Sequence, residues 1–276
     1  MNNKLDVLVT VDANYLEPLE VMLYSLHKNN SYTNVTIWLV HEDITNELLD
    51  NLVNKLKKIN FELKSIQIGE DFFSNAPTME RYPREMYFRL LCGDILPNTL
   101  KRVLYLDPDI LINNSIQALW EMDLEGNLMA AASHSGLSNI TSGINNIRLD
   151  LEHDYFNSGI ILIDLVKARE IIKSSDINAV IQKFGTYLLL PDQDVLNYLY
   201  GKYIKKIPEE KWNYDARKYN SYFAKSNAEF DVSWVMNNTA IIHFCGKPKP
   251  WQKYSDTKFT ALYLHYAEET HRELKG

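Results

Sequence analysis

Cysteine is almost missing from this chain of 276 residues, which holds only Cys92 and Cys245. Two thiols do not make a disulfide framework, and neither stands at a metal-ligand spacing, so a disulfide-stapled fold and a zinc module are excluded. A basic excess is missing as well, the formal net charge being −7. That balance excludes a general nucleic-acid binder, which needs surplus Lys and Arg to neutralise phosphates, but leaves room for a localised basic site. No apolar run approaches the length of a membrane span, and the start, Met1-Asn2-Asn3-Lys4-Leu5-Asp6, lacks the apolar core of a signal peptide. The expectation is a cytoplasmic, reduced protein. The fingerprints G-x-G-x-x-G and G-x-x-x-x-G-K-[ST] are both absent, so a nucleotide bound here is gripped some other way.

What is present is an ordinary globular composition, 46% hydrophobic and 24% charged, on a chain long enough for one large α/β domain or two small ones. Residues 102–112 organise it. They read Arg-Val-Leu-Tyr-Leu-Asp-Pro-Asp-Ile-Leu-Ile, an apolar run that breaks for two carboxylates and resumes. Residues 103–106 show no polar alternation, as in a strand buried on both faces. Asp107 and Asp109 then fall at its C-terminal end, two apart in an extended chain and so on one side. Pro108 lacks an N–H and suits a strand that is ending. Two neighbouring carboxylates repel unless a cation or a shared proton intervenes, and a divalent metal is the obvious relief. Asp-Pro-Asp taken alone is equally an ordinary turn.

Around this stretch strands and helices alternate. Residues 5–11 read as a strand, followed by Asp12-Ala13-Asn14-Tyr15 and then Leu16, Leu19, Leu23 and Leu26 at helical spacing. Residues 35–40 and 61–68 read as further strands around an amphipathic helix carrying Leu48, Leu49, Leu52, Val53, Leu56 and Ile59. Such alternation predicts an α/β fold with a largely parallel sheet flanked by helices. Ligands in such sheets bind beyond the carboxyl ends of the strands, which gives residues 12–14 and Asp107/Asp109 a common destination.

Other positions carry two readings each. Pro83 opens an expected helix bearing Arg89, ordinarily a solvated or salt-bridged side chain. Residues 128–132 read as a strand ending at Ser133-His134, and residues 135–154 as a polar, mobile loop over a site. Asn157, within Tyr155-Phe156-Asn157-Ser158-Gly159, reads alone as a turn or bulge residue. A helix is expected over residues 167–184, and Asp192, just after Pro191, reads as a helix N-cap. His243 ends a short strand and reads alone as a buried histidine satisfied by a carbonyl. The segment after it, Cys245-Gly246-Lys247-Pro248-Lys249-Pro250-Trp251, suits a small anion-binding loop. Phe259, Leu262, Tyr263 and Tyr266 mark a last amphipathic helix that either covers the core or touches a membrane surface. The simplest division is a domain over residues 1–251 and a helical tail over 252–276.

With these pieces in order, the chain resembles glycosyltransferase family 8, retaining nucleotide-sugar transferases with the GT-A fold. The carriers are Val11-Asp12-Ala13-Asn14-Tyr15, the run from Val103 to Asp109, Tyr155-Phe156-Asn157-Ser158-Gly159, Asp192-Gln193-Asp194 and His243-Phe244-Cys245-Gly246-Lys247-Pro248-Lys249-Pro250-Trp251. The resemblance implies a GT-A sheet with a smaller C-terminal elaboration and transfer of galactose or glucose from a UDP-sugar to a glycan or lipooligosaccharide. By that resemblance Asp107, Asp109 and His243 are the protein ligands of Mn²⁺, with Mg²⁺ an alternative, and two carboxylates with an imidazole suit that ion. Asp12 and Asn14 match residues that hold uracil and ribose, and Gly246 and Lys249 match the loop on the diphosphate. Arg89, Asn157, Asp192 and Gln193 match positions lining the donor sugar. His134 stands where the family often has Asp, which leaves the donor sugar open.

The resemblance also frames the chemistry. A retaining glycosidase uses a carboxylate nucleophile, whereas the position on the β face of the sugar here is Gln193, a poor one. Same-face attack follows, with Gln193 stabilising positive charge on the sugar. Two alternatives remain from the sequence: a non-catalytic UDP-sugar-binding protein, and a haloacid-dehalogenase-type phosphatase in which the first Asp of D-x-D is a nucleophile.

Overall fold

The computed structural model describes residues 4–32, 34–69, 85–133 and 148–275. Ten strands are found among them: β1 Lys4–Thr10, β2 Asn34–His41, β3 Phe61–Gln67, β4 Arg102–Leu106, β5 Ile110–Ile112, β6 Met129–Ser133, β7 Phe156–Asp164, β8 Ile204–Ile207, β9 Tyr214–Asp215 and β10 Ile241–His243. Seven form one mixed sheet in the order β3-β2-β1-β4-β7-β6-β8. β3, β2, β1 and β4 run parallel, and β7 lies antiparallel between β4 and β6. The chain moves from β1 outward to β3 and then returns to the other flank of β1 as β4. This reversal opens a crevice at the carboxyl ends of β1 and β4, where open α/β sheets bind ligands.

The continuous apolar runs follow from burial on both faces. Val7, Val9, Leu104 and Leu106 point into one core, against the helix Leu16–Asn29, while Leu8, Val103 and Tyr105 point into the other, against the helix Pro191–Tyr200. Each face therefore selects apolar side chains, and no polar alternation survives.

The apolar residues on either side of the two acids belong to different sheets. β4 lies in the large sheet, whereas β5 pairs antiparallel with β10, which pairs in turn with β9. The chain crosses between sheets at Pro108. The helix Leu16–Asn29 secures the outer edge of β5: the N–H of Ile112 donates to Ser25 Oγ (3.0 Å), and Asn29 Nδ2 donates to the Ile112 carbonyl (2.9 Å). These side chains satisfy an edge that would otherwise lack backbone partners.

Three local expectations are corrected. The helix expected over residues 167–184 is two, Leu165–Ile171 and Ser174–Phe184, because Ile172 adopts extended backbone and the first helix ends there. The first of these starts on Asp164, whose carboxylate accepts from the N–H groups of Val166 and Lys167. Asp192 is not the N-cap of Pro191–Tyr200; it lies inside the first turn, and its carboxylate turns away to Ser158. Asp194 instead closes that end, accepting from the N–H groups of Leu189 and Leu190. Arg89 occupies a turn between two short helices, Glu85–Phe88 and Cys92–Ile95, rather than a helix interior. Asn157 and Ser158 lie within β7, opposite a register shift in β6 between Ala131 and Ser133. The terminal helix Thr260–Thr270 turns Tyr263 into a core shared with Tyr214, Phe244 and Phe259, leaving Leu264 exposed.

Candidate active site

Asp107 and Asp109 meet His243 at the crossing between the sheets. One ligand atom from each of the three falls within 4.8 Å of the others. β10 carries His243 alongside β5, so the register His243↔Ile110 sets the imidazole beside Asp109. Its Nε2 stands 3.3 Å from Asp109 Oδ1 and 3.9 Å from Asp107 Oδ2. Gly159 forms the floor: a Cβ there would collide with His243 and stand 2.6 Å from Asp107 Oδ2. Two carboxylates and an imidazole, converging over a residue without a side chain, fit a divalent cation such as Mn²⁺ or Mg²⁺.

The state of His243 follows from a chain of buried amides. The Gly159 N–H can only donate, so the Asn157 atom it meets at 2.9 Å is Oδ1. The Asn213 atom that meets the same oxygen at 2.8 Å must then be the donor Nδ2. Asn213 Oδ1 therefore faces His243 Nδ1 at 2.8 Å and, being only an acceptor, requires a proton there. Nε2 is left toward the two aspartates, as a metal-binding imidazole needs. The chain continues to Gln193, whose Oε1 accepts from Asn157 Nδ2 and from the Ser158 N–H, both at 3.2 Å. Asn213 sits between Trp212 and the two-residue strand β9 with no periodic signal to mark it, which is why sequence reading passes over it.

Charge is balanced tightly. Burial opposes ionisation of Asp109, but His243 and Lys249 more than offset it and hold its carboxyl far below the usual range. The Lys249 ammonium bonds that carboxylate and the Phe244 carbonyl. Burial likewise opposes charge on His243, and Cys245 and Asp109 outweigh it, raising its affinity for a proton well above that of an ordinary imidazole. Asp107 accepts from Tyr105 Oη at 2.6 Å and Arg89 Nη1 at 3.1 Å. The Arg89 guanidinium lies over the Tyr105 ring, 4.4 Å from its centre, and also donates to the Ser158 carbonyl. Burial is the main influence on Asp192 and raises its carboxyl above the usual range, although Arg89 pulls the other way at 3.5 Å.

Arg89, Asp107, Asp109, Asn157, Asp192, Gln193, His243 and Gly246 all line one cavity of about 370 Å³, with Lys249 bonded to Asp109 beside it. Asp12 and Asn14 stand off this cavity. Asp12 caps a short turn after β1 by accepting from the Asn14 N–H (2.8 Å), and Asn14 lines a neighbouring recess with Trp251 and Tyr263. Tyr15, the next residue along, packs edge-on against Trp251. His134 lies outside the described residues. Ser158, Cys245 and Arg217 also line the cavity.

The profile described as glycosyl transferase family 8 matches residues 6–255. The chain belongs to glycosyl transferase family 8. It is 27% identical to a lipopolysaccharide 1,2-glucosyltransferase of Escherichia coli strain K12, over 99% of this chain and 82% of that protein. It is 26% identical to general stress protein A of Bacillus subtilis, over 94% of this chain and 91% of the relative. In structure it resembles the galactosyltransferase LgtC, solved with donor and acceptor sugar analogues, at a TM-score of 0.81 and 21% identity over 96% of each chain. The fold is GT-A, as that likeness shows, and the chain is a glycosyltransferase. Membership of family 8 sets aside the phosphatase alternative. No helix among the described residues is long and apolar enough to cross a membrane.

Proposed function

We propose that this family 8 enzyme transfers a hexose, glucose or galactose, from a UDP-sugar to a glycan or lipopolysaccharide acceptor with retention of anomeric configuration. The observation that carries this reading is the convergence of Asp107, Asp109 and His243 with Asn157, Asp192 and Gln193 around one cavity at the carboxyl edge of the sheet. Asp107, Asp109 and His243 would hold a divalent cation, which when bound supplies positive charge for the departing diphosphate. Lys249, beside Asp109, adds a second positive charge to the same leaving group, and Gly246 lets the backbone approach it. Asp12 and Asn14, after β1, take the nucleoside end.

On the sugar side no group among the described residues is poised as a nucleophile. Asp192 is held by the Ser158 hydroxyl (3.0 Å) and Arg89, and Gln193 is a neutral amide pinned by Asn157 and Ser158. The acceptor hydroxyl therefore attacks the anomeric carbon from the face the diphosphate leaves, and a diphosphate oxygen takes its proton. The fixed dipole of Gln193 stabilises positive charge on the ring. The lipopolysaccharide acceptor is supported by the E. coli relative, a lipopolysaccharide 1,2-glucosyltransferase.

The test is calorimetric titration of UDP with Mn²⁺, with chelator, and into Asp107→Asn. Binding that needs the metal and is lost in the variant supports the reading, and a screen of UDP-sugars then identifies the donor. Absence of UDP binding under every condition, or a glycosyl adduct trapped on Asp192, would overturn it.

A further inference from the structure

Arg217 is shared by two cavities. One is the 370 Å³ cavity described above, and the other, about 470 Å³, lies on its far side and is lined by Tyr219, Asn220, Lys247, Asp256 and Lys258 among others. Arg217 is held rather than left to wave in solvent. Asp215, fully buried, grips it through Nε at 3.0 Å and Nη2 at 2.8 Å, a forked pairing that fixes the guanidinium plane. Nη1 is left with no hydrogen-bond partner among the described residues. It lies against Gly246, where a Cβ would collide with it and where φ is +72°. Glycine at 246 thus admits an unpaired guanidinium edge to the wall between the cavities.

Beyond that wall the local charge reverses the sign of the chain. Lys247 and Lys258 add two cations, and the Lys258 ammonium is steadied over the Tyr219 ring, 5.1 Å from its centre. Among the described residues of the lining Asp256 is the one carboxylate, set against Arg217, Lys247 and Lys258, and with Asp215 counted against Arg217 the local balance is still positive, whereas the whole chain carries −7. A neutral sugar gains less from this arrangement, because its hydroxyls carry no charge to set against the cations. An anion is met better, through charge-assisted hydrogen bonds from a pre-positioned fork.

We propose that this second cavity receives a phosphate or carboxylate carried by the acceptor, so that the enzyme prefers an anionic acceptor sugar. The inference rests on the donor reading given above, which assigns the first cavity to the UDP-sugar. An acceptor whose hydroxyl reaches the anomeric carbon there extends its other substituents past Arg217. On that reading the donor's diphosphate is assigned to Lys249 and the Asp107/Asp109/His243 cluster, which belong with the first cavity and not with the lining of the second.

The experiment uses glucose 6-phosphate, glucuronate and glucose as probes, titrated by ligand-observed NMR into the full chain saturated with UDP and Mg²⁺. Glucose 6-phosphate and glucuronate are expected to bind about tenfold tighter than glucose, as two or three partly exposed charge contacts allow. That advantage is expected to disappear in Lys247→Gln/Lys258→Gln and to shrink as salt is raised. Inorganic phosphate in a parallel arm separates a true sugar subsite from simple anion binding, since the sugar phosphate should bind more tightly. Equal binding of charged and neutral sugars, or loss of sugar phosphate binding on saturation with UDP, would overturn the proposal. So would an advantage untouched by the double variant, or sugar phosphate binding no better than inorganic phosphate. Failure of UDP itself to bind would instead strike the donor reading.

Discussion

Replacing Asn213 by Leu tests whether the buried amide chain, rather than the three ligands alone, makes the metal site. The substitution keeps volume but removes the acceptor for His243 Nδ1–H and the donor to Asn157 Oδ1, two hydrogen bonds of 2.8 Å each. Asn213 is 2% exposed, so water does not replace them. The His243 Nδ1–H is left unpaired, at roughly 1–3 kcal/mol, while Asn157 Oδ1 keeps the Gly159 N–H and loses one ordinary hydrogen bond of about 1 kcal/mol, which places the loss of stability on the order of 2–4 kcal/mol. A metal-ligating histidine that loses its outer partner typically loses about 10–100-fold in metal affinity. Asn213→Asp separates the two halves of the effect. A carboxylate still accepts from Nδ1–H and keeps Nε2 toward the metal, but it opposes Asn157 Oδ1 and loosens Gln193. Metal affinity is therefore expected to fall in the Leu variant and to stay close to wild type in the Asp variant, with catalysis impaired in both. Mn²⁺ binding in the presence of UDP, followed by electron paramagnetic resonance, reads the first quantity. Nitrogen-15 shifts of the imidazoles with Mg²⁺ and UDP read the tautomer directly. A folded Leu variant that binds Mn²⁺ like wild type, or a His243 whose proton sits on Nε2, would refute the reasoning.

Three further outcomes follow from the same geometry. Gly159→Ala is expected to keep the fold, since no positive φ is involved, yet to abolish metal-dependent UDP binding, because its Cβ meets His243 and Asp107; calorimetry alongside circular dichroism checks both. Asp192→Asn is expected to raise the melting temperature at neutral pH while destroying transfer. Burial raises the Asp192 carboxyl above its ordinary 3.8, so its favourable contribution is complete below that pH and lost as pH climbs through the folded-state value. The variant does not titrate, so its advantage should vanish toward pH 4, and a pH-independent difference would contradict the assignment. Tyr214→Phe removes a buried hydroxyl that has no hydrogen-bond partner among the described residues, so stability should stay level or rise by up to about 1 kcal/mol in chemical denaturation.

The large sheet and the pair Asp107/Asp109 were legible because each has a local signature, whereas His243 joins the pair in the sequence only through the family resemblance. Strands buried on both faces give unbroken apolar runs, and two acids interrupting such a run stand out. The second sheet was legible only in part: β10 reads as a short strand in the sequence, but β9 is two residues long, too short for any period to register, so nothing in the sequence shows that β5, β10 and β9 pair as a sheet of their own. Asp192 shows a different limit. Its place after Pro191 gives a capping reading, and the first turn does contain acids, but which carboxylate turns back to the backbone is decided by tertiary partners. Ser158 and Arg89 draw Asp192 into the cavity, and Asp194 takes the end of the helix because Arg148 and Tyr155 hold it there. Asn213 shows a third limit, since its importance lies in a polarity set through Asn157 by the backbone N–H of Gly159, on a strand far away in the chain.

That polarity explains why the site can be rigid while the three residues of the Asp107/Asp109/His243 cluster come from separate sheets. Asp107 follows β4 of the large sheet, whereas Asp109 and His243 belong to the small one, so any slip between the sheets would part the ligands. The crossing at Pro108 ties them by only one covalent path. A second tie runs through Asn213, beside β9, to Asn157 and Gly159 on β7, entirely by hydrogen bonds. A third runs from Arg89, which holds Asp107 and the Ser158 carbonyl together. Asn157, Asp192 and Gln193, proposed above to face the donor sugar, are members of these same ties. The proposed metal-side and sugar-side residues are thus set by one network, and a substitution in either half is expected to register in the other.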